Sequence, residues 1–256
     1  MNAIIDCLAY QHDLKLVVVA AVICLVSSLL TMTLLSGCRD LGREADAGRL
    51  MAAIAVCAIG VWATHFVAIL AYDTGSPVRY NPGITALSAG ISLMTVGCGL
   101  YLSAYYNSVV SYALGGAYCG LGIAEMHLLG MFAIRSERWM ILDTPSTLIA
   151  IGAGCAIAAG AMATLACFRS RWRVPASGLL MVVAVCCLHF ISMTWTRFVP
   201  SPYADEVGRG LDSTLLAVLV FSLWAGIAGL AASRHLRRPQ QDADDILADG
   251  ALPAAA

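Results

Sequence analysis

Seven long apolar runs determine what this chain of 256 residues can fold into. A helix needs about 20 predominantly apolar residues to cross the hydrocarbon core of a bilayer. Hydrophobic residues make up 60% of the sequence and charged residues 12%, against about 25% charged residues in a soluble domain. We therefore predict an all-α integral membrane protein, with seven transmembrane helices at Leu14–Leu35, Leu50–Ala71, Gly83–Tyr105, Ser111–Ile134, Ser146–Phe168, Pro175–Phe198 and Leu211–Ala232.

Three histidines inside these runs, His65, His127 and His189, are each separated by 62 residues. This interval accommodates two membrane crossings with their loops, so successive repeats enter the membrane in the same orientation. We predict three parallel two-helix repeats of 62 residues plus a closing seventh helix. The membrane domain is predicted to span residues 1–238, and residues 239–256 are predicted to form a short disordered cytoplasmic tail.

The basic residues of the loops indicate the orientation of the helices. Nine arginines lie in the loops of one side, and the other side carries six basic residues interleaved with acidic ones. Because basic residues accumulate in cytoplasmic loops, this pattern places the N-terminus on the outside and the C-terminus in the cytoplasm. The first run lacks a basic segment before it and a small-residue cleavage site after it, so it is predicted to be retained as a helix.

The three histidines are candidate metal ligands. Each lies near the C-terminal end of an even-numbered helix, so the three side chains are expected at one depth with ring nitrogens roughly 3–4 Å apart. A polar side chain in hydrocarbon needs a partner. On the same helix faces lie Met131 beside His127, and Cys186 and Met193 beside His189. The alternative interpretation is that each repeat kept a polar residue for helix packing, and that the methionines only fill space.

Three further features are ambiguous from the sequence. His12 precedes the first helix and is either a fourth ligand or an ordinary interfacial histidine. Glu125 is a carboxylate inside a predicted helix, and its position two residues before His127 turns it toward another helix or a neighbouring cavity. The ten cysteines lie mostly within helices without paired loop positions, which does not favour disulfides.

The repeats resemble the MHYT family, membrane sensor modules of bacteria named for a Met-His-Tyr-Thr motif. Met126-His127 with Gly130-Met131 matches the motif best, and His65-Phe66 and His189-Phe190 keep the histidine with an aromatic in place of tyrosine. The resemblance implies a largely seven-helix domain that binds copper through methionine and histidine, Met126 included, and senses oxygen, carbon monoxide or nitric oxide. It also implies a bacterial inner membrane, in which the predicted orientation puts the N-terminus in the periplasm. Because Thr64 and Leu188 replace the motif methionine in the other two repeats, a site built chiefly on three histidines is favoured here.

Copper fits these candidate ligands best, since soft sulfur ligands shift preference toward Cu(I). A zinc site of three histidines is the nearest alternative, and haem is the third, although three imidazoles exceed what one haem uses. We predict a non-enzymatic membrane sensor that passes its signal to a separate partner protein. A copper or zinc handling or transport protein is the alternative. The partners expected are the lipid bilayer and a diatomic gas, and a net charge of −1 gives no basis for a nucleic-acid partner.

Overall fold

The computed structural model describes residues 6–7, 9–41, 47–200 and 210–250, without the side chains of residues 40, 41 and 237–250. Seven helices in this part of the chain are long and apolar enough to cross a membrane, which confirms the predicted fold class. In chain order they are α1 (Leu14–Leu41), α2 (Ala47–Ala71), α3 (Pro82–Tyr106), α4 (Val109–Phe132), α5 (Thr144–Cys167), α6 (Arg173–Thr194) and α7 (Ser213–Gly250).

Short polar residues start three of these helices. The side chain of Asn81 accepts a hydrogen bond from the backbone N–H of Ile84 at the start of α3. Ser108 and Ser111 form a reciprocal capping box at the start of α4, and Asp143 caps α5 through the N–H of Ser146. These bonds satisfy backbone donors that the first turn of a helix leaves without a partner.

The first six helices form a closed ring. Each helix packs against the next one in the sequence, and α6 packs against α1 to close the ring. Inside the ring, α4 also contacts α2 and α6, and α7 packs on the outer side of α2. The arrangement confirms the predicted scheme of three helix pairs and a helix outside them.

Small residues let α4 approach both of its neighbours closely. A Cβ added to Gly115 would collide with the backbone of Gly99 on α3. A Cβ on Gly120 would lie 2.5 Å from the Cα atom of Cys155 on α5. Close backbone approach through small residues is the usual way for helices to pack in a membrane. It holds α4, and therefore His127, at a fixed distance from the helices on either side.

Two small antiparallel sheets cover one end of the ring. Strand β1 (Val78–Tyr80) pairs with β2 (Ile134–Ser136), and β3 (Arg138–Ile141) pairs with β4 (Arg197–Pro200). Backbone bridges join His12 to Tyr72 and Tyr80 to Leu211. We call these four strands and two bridges the cap. Because the strands follow α2, α4 and α6, the cap lies at the end of the ring nearest the three histidines. The sequence predicted loops here, except that two predicted helices ended at Ile134 and Phe198, inside β2 and β4.

The last helix is longer than predicted. The backbone of α7 stays helical up to Gly250, whereas the sequence predicts disorder from Pro239. Alanine, glutamine and leucine in this stretch have favourable helix propensities, whereas Pro239 and the aspartates do not. Residues 251–256 lie outside the described part, and the boundary between the membrane domain and a tail at residue 239 stays a prediction.

Candidate metal centre

The structure brings the three repeat histidines together inside the ring. One ring nitrogen from each of His65, His127 and His189 lies within 4.8 Å of the other two, and all three side chains are buried. The Nδ1 atoms of His65 and His127 are 3.1 Å apart. The ring centroids are 4.9 Å, 5.3 Å and 6.0 Å apart, and the rings are nearly perpendicular to one another. We call these three residues the histidine cluster.

Each helix delivers its histidine to the same level. His65 lies six residues before the end of α2, and His127 and His189 lie five residues before the ends of α4 and α6. At 1.5 Å of rise per residue, each histidine is roughly 8–9 Å below its helix end. The common depth follows directly from the 62-residue repeat.

Several nitrogens of the cluster lack a hydrogen-bond partner among the described residues. His127 is satisfied on both sides, because its Nε2 contacts the hydroxyl of Ser192 at 3.2 Å and its Nδ1 contacts His65. His65 Nε2 and both ring nitrogens of His189 are buried without a partner. A buried polar atom left in this state costs about 1–3 kcal/mol. A neutral imidazole offers a metal ion one nitrogen, so His65 Nε2 and one of the two nitrogens of His189 are candidate ligand atoms.

Gly130 makes room for the cluster. A Cβ at this position would overlap the Nε2 atom of His65. The glycine lies three residues after His127 on α4, on the same helix face. Only a residue without a side chain allows the imidazole of α2 to lie against α4 here.

A cavity of about 90 Å³ adjoins the three histidines. It lies between α1, α2, α4 and α6, and its walls are almost entirely apolar. The sulfur-bearing residues among its lining are Cys24, Met126 and Cys186. Soft ligands therefore lie beside the imidazoles.

Two predicted sulfur ligands are placed elsewhere. Met131 and Met193 are buried, but they do not line this cavity. Each lies four residues after its histidine, toward the cap. On α4 and α6 the cavity lining extends along residues that precede the histidines, such as Ile123 and Val185, whereas on α2 it also includes Ala68, which follows His65.

His12 lies next to the cluster but is not one of its three members. Its ring centroid is 6.1 Å from that of His189 and 5.1 Å from that of Tyr72. Its Nδ1 lies 2.9 Å from the carbonyl oxygen of Cys7, and its Nε2 is buried without a partner among the described residues. Burial lowers the pKa of His12 from its ordinary value, and the bond to Cys7 opposes this shift. At neutral pH the ring is therefore neutral and able to act as a donor.

Glu125 is separate from the histidines. It accepts a hydrogen bond of 2.8 Å from the hydroxyl of Thr95 on α3. This contact agrees with the expectation that Glu125 is turned toward an adjacent helix. None of the ten cysteines forms a disulfide within the described part of the chain.

Sequence reasoning missed Cys24. This residue lies on α1 and reaches the cavity across the ring. The repeat carries no signal for it, because the positions 62 and 124 residues later are Ala86 and Leu148. Ser192 is different: it lies three residues after His189, so helical spacing does indicate that it shares the histidine face.

Comparisons with known proteins agree on one family. The family model MHYT, described as the N-terminal repeat of bacterial signalling proteins, matches residues 59–116 and 120–178. A signalling protein of Caulobacter vibrioides that carries no assigned activity is 31% identical over 233 residues, or 90% of this chain. No solved structure matches the chain.

Two relatives in Pseudomonas aeruginosa carry enzymatic names. The bifunctional diguanylate cyclase/cyclic di-GMP phosphodiesterase MucR is 31% identical over 74% of the chain. The cyclic di-GMP phosphodiesterase NbdA is 36% identical over 66% of the chain. The chain spans only 29%, 28% and 23% of the length of these three relatives, so the similarity covers a part of each.

Proposed function

This chain belongs to the MHYT family of bacterial membrane signalling proteins, and on that premise we propose that it is a membrane sensor whose histidine cluster binds a metal ion. The observation that carries the proposal is the convergence of one ring nitrogen from each of three buried histidines, all within 4.8 Å of one another. Neutral imidazole is a ligand for zinc, copper, iron and nickel. A shared ion would satisfy these nitrogens together.

Copper is the metal that the surroundings favour. Thiol and thioether sulfur shifts the preference of a histidine site toward Cu(I), and Cys24, Met126 and Cys186 line the adjoining cavity. Zinc bound by the three histidines alone is the second choice. His12 is proposed as an additional donor from the cap side, since its Nε2 is buried beside His189.

The sensed molecule is proposed to be a diatomic gas: oxygen, carbon monoxide or nitric oxide. A copper ion in the cluster would supply an exchangeable coordination position for such a ligand. The protein's own contribution is an apolar cavity of about 90 Å³ next to the histidines. One water molecule occupies about 30 Å³ in the liquid, so the cavity has the size for a molecule of two atoms. None of the residues that line the cavity is an aspartate, glutamate, lysine or arginine, so the walls provide no counter-charge for a charged substrate.

We also propose the direction of signalling. The positive-inside pattern puts the histidine cluster on the periplasmic side and the C-terminus in the cytoplasm. The names of MucR and NbdA suggest cyclic di-GMP turnover as the output, reached through a separate partner protein. The three helices that carry the histidines also carry the cap strands, so a change in the cluster would shift the whole histidine end of the ring.

Metal handling or transport is the second candidate function, and one observation favours it. Cys24 contacts Ser28 and Thr64, and Cys57 lies farther from the cap on α2, next to Thr31. Thiol and hydroxyl groups therefore continue inward from the cluster, as a path for a soft metal ion would require. Time-resolved copper uptake by proteoliposomes that contain the protein distinguishes this function from sensing.

The proposal is tested by metal analysis of the full chain purified in detergent. We expect about one bound copper per chain, its loss in the triple variant His65→Ala, His127→Ala, His189→Ala, and its retention in the control His235→Ala. Optical spectra with carbon monoxide or nitric oxide should change only where copper is bound. Equal metal content in all three proteins would disprove the site. Bound zinc without a spectral response to gas would support the metal site but disprove the proposed gas sensing.

A further inference from the structure

An open polar cavity of about 640 Å³ lies at the end of the ring opposite the cap. It is formed where α1 and α3 end and where the loop from α5 leads into α6. Four of its six lining residues are arginines, and none of the six is acidic. The lining consists of Arg39, Asn107, Arg169, Ser170, Arg171 and Arg173, and we call it the arginine cavity. It shares no residue with the histidine cluster and is independent of the proposed function.

Arg39 is held in place by uncharged groups. Its guanidinium donates to the side-chain oxygen of Asn107 at 3.2 Å and to the carbonyl oxygen of Ala166 at 2.6 Å. Asn107 donates back to the carbonyl oxygen of Arg39 at 3.1 Å. The guanidinium also lies 5.5 Å from the ring centroid of Tyr112. These neutral contacts orient the guanidinium but do not cancel its charge.

The backbone of Asn107 is part of this arrangement. Asn107 ends α3 with φ of 46°, in the left-handed region. Asparagine tolerates this conformation better than most residues. The turn directs the Asn107 side chain toward α1, where it exchanges hydrogen bonds with Arg39. The left-handed residue is therefore part of the wall of the cavity.

Exposed aromatic side chains surround the cavity. Tyr105 and Tyr106 precede Asn107, and Phe168 and Trp172 flank the arginines of the loop; each is 57–64% exposed. The guanidinium of Arg171 lies 5.5 Å from the ring centroid of Trp172. Tyrosine and tryptophan concentrate at the level of the lipid headgroups. The cavity therefore lies where the phosphates of a bilayer leaflet are found.

We propose that the arginine cavity binds the phosphate of an anionic phospholipid headgroup. Arginine presents several donors in a fixed plane and binds phosphate through paired hydrogen bonds. Basic residues near a membrane surface attract anionic lipids by about 1 kcal/mol each. A free phosphate ion shares this chemistry, but the aromatic residues favour a lipid as its source.

The test compares lipid binding by the full chain in neutral detergent. Phosphatidylglycerol and phosphatidylcholine are titrated separately, and bound lipid is counted by native mass spectrometry. We expect phosphatidylglycerol to bind at least about tenfold more tightly than phosphatidylcholine. The variant Arg169→Gln, Arg171→Gln, Arg173→Gln should weaken phosphatidylglycerol binding at least about tenfold. The corresponding lysine variant keeps the charge and the positive-inside signal, and its binding should fall between the two.

Matched controls make the outcome decisive. A variant with Arg79, Arg135 and Arg138 changed to Gln removes three arginines from the cap end and should bind phosphatidylglycerol as the unaltered protein does. Unchanged binding in the glutamine variant of the arginine cavity, with the protein still folded, would overturn the proposal. So would an equal loss in the cap-end variant. Stabilisation by inorganic phosphate as strong as that by phosphatidylglycerol would identify a soluble anion in place of a lipid.

Discussion

The two ends of the helix ring differ in which polar side chains they carry and in how far these side chains are buried. At the cap end, three histidine side chains are buried together and strands close over them. At the other end, four arginines line an open cavity. An uncharged base tolerates burial when a partner satisfies it, whereas a permanent charge needs access to water or to a counter-ion. The comparison shows that position along the helix axis, and not the fold alone, decides which chemistry each end supports.

The largest expected difference between the ends is in metal affinity. His127 contacts both His65 and Ser192 at the centre of the cluster, so His127→Ala should weaken copper binding by about a hundredfold or more. His12→Ala should have a smaller effect, because His12 is not one of the three converging residues. Competition with a copper chelator measures both affinities. Equal effects of the two variants would show that His12 is as important for copper binding as His127, and would place the bound metal closer to the cap.

Filling the space at Gly130 should damage the cap end alone. In Gly130→Ala the new methyl group overlaps His65 Nε2, and such overpacking costs about 1–3 kcal/mol. The variant should unfold at lower temperature and bind metal more weakly. Gly160→Ala is the matched control, since nothing lies within 4 Å of its added Cβ, and it should keep or slightly raise stability. Thermal unfolding of both variants in detergent provides the measurement. Equal stability in the two proteins would mean that the imidazole moves aside freely.

Removing the fixed arginine should damage the opposite end alone. Arg39→Ala removes two donated hydrogen bonds, at a cost of about 1–3 kcal/mol for bonds to a charged group. Metal content should not change, which separates this variant from Gly130→Ala. Arg234→Ala removes an exposed arginine of α7 and should stay within about 0.5 kcal/mol of the unaltered protein. Loss of metal from Arg39→Ala would show that the two ends are coupled.

The smallest expected effect is a pH dependence at the start of α5. The N–H of Ser146 donates to the Asp143 carboxylate, and this bond lowers the pKa of Asp143 from its ordinary value. The pKa of Asp143 is lower in the folded state than in the unfolded state. The hydrogen bond from Ser146 therefore stabilises the fold above the unfolded pKa of about 4, and this contribution is lost as the pH falls through the folded pKa. Asp143→Asn should flatten this part of the stability profile between pH 5 and 3. An unchanged profile would assign the acid sensitivity to another carboxylate.

The membrane explains why so much of this structure is predictable from sequence. Without water in the bilayer, seven apolar runs must become helices, and a period of 62 residues must bring His65, His127 and His189 to one depth. The cap was not predictable in this way. Its strands have only three or four residues, too few for an alternating pattern to stand out.

The sulfur-bearing residues near the candidate site show a different limit of prediction from sequence. Helical spacing identifies which residues share a face, but it does not tell whether a cavity opens above or below the histidine. Met126 therefore lines the cavity and Met131 does not. Cys24 reaches the same space from α1, which no spacing rule within α2, α4 or α6 reveals. Contacts across the ring depend on how the helices pack against one another. The sequence pattern of a single helix does not carry this information.

The order in which the cap strands pair has an evolutionary consequence. The middle repeat supplies both β2 and β3, so it is paired with the first repeat through β1 and with the third through β4. Loss of the middle repeat by recombination would leave β1 and β4 without their strand partners, although Tyr80 would keep its bridge to Leu211. The connecting loop of the middle repeat is thus constrained from two directions at once.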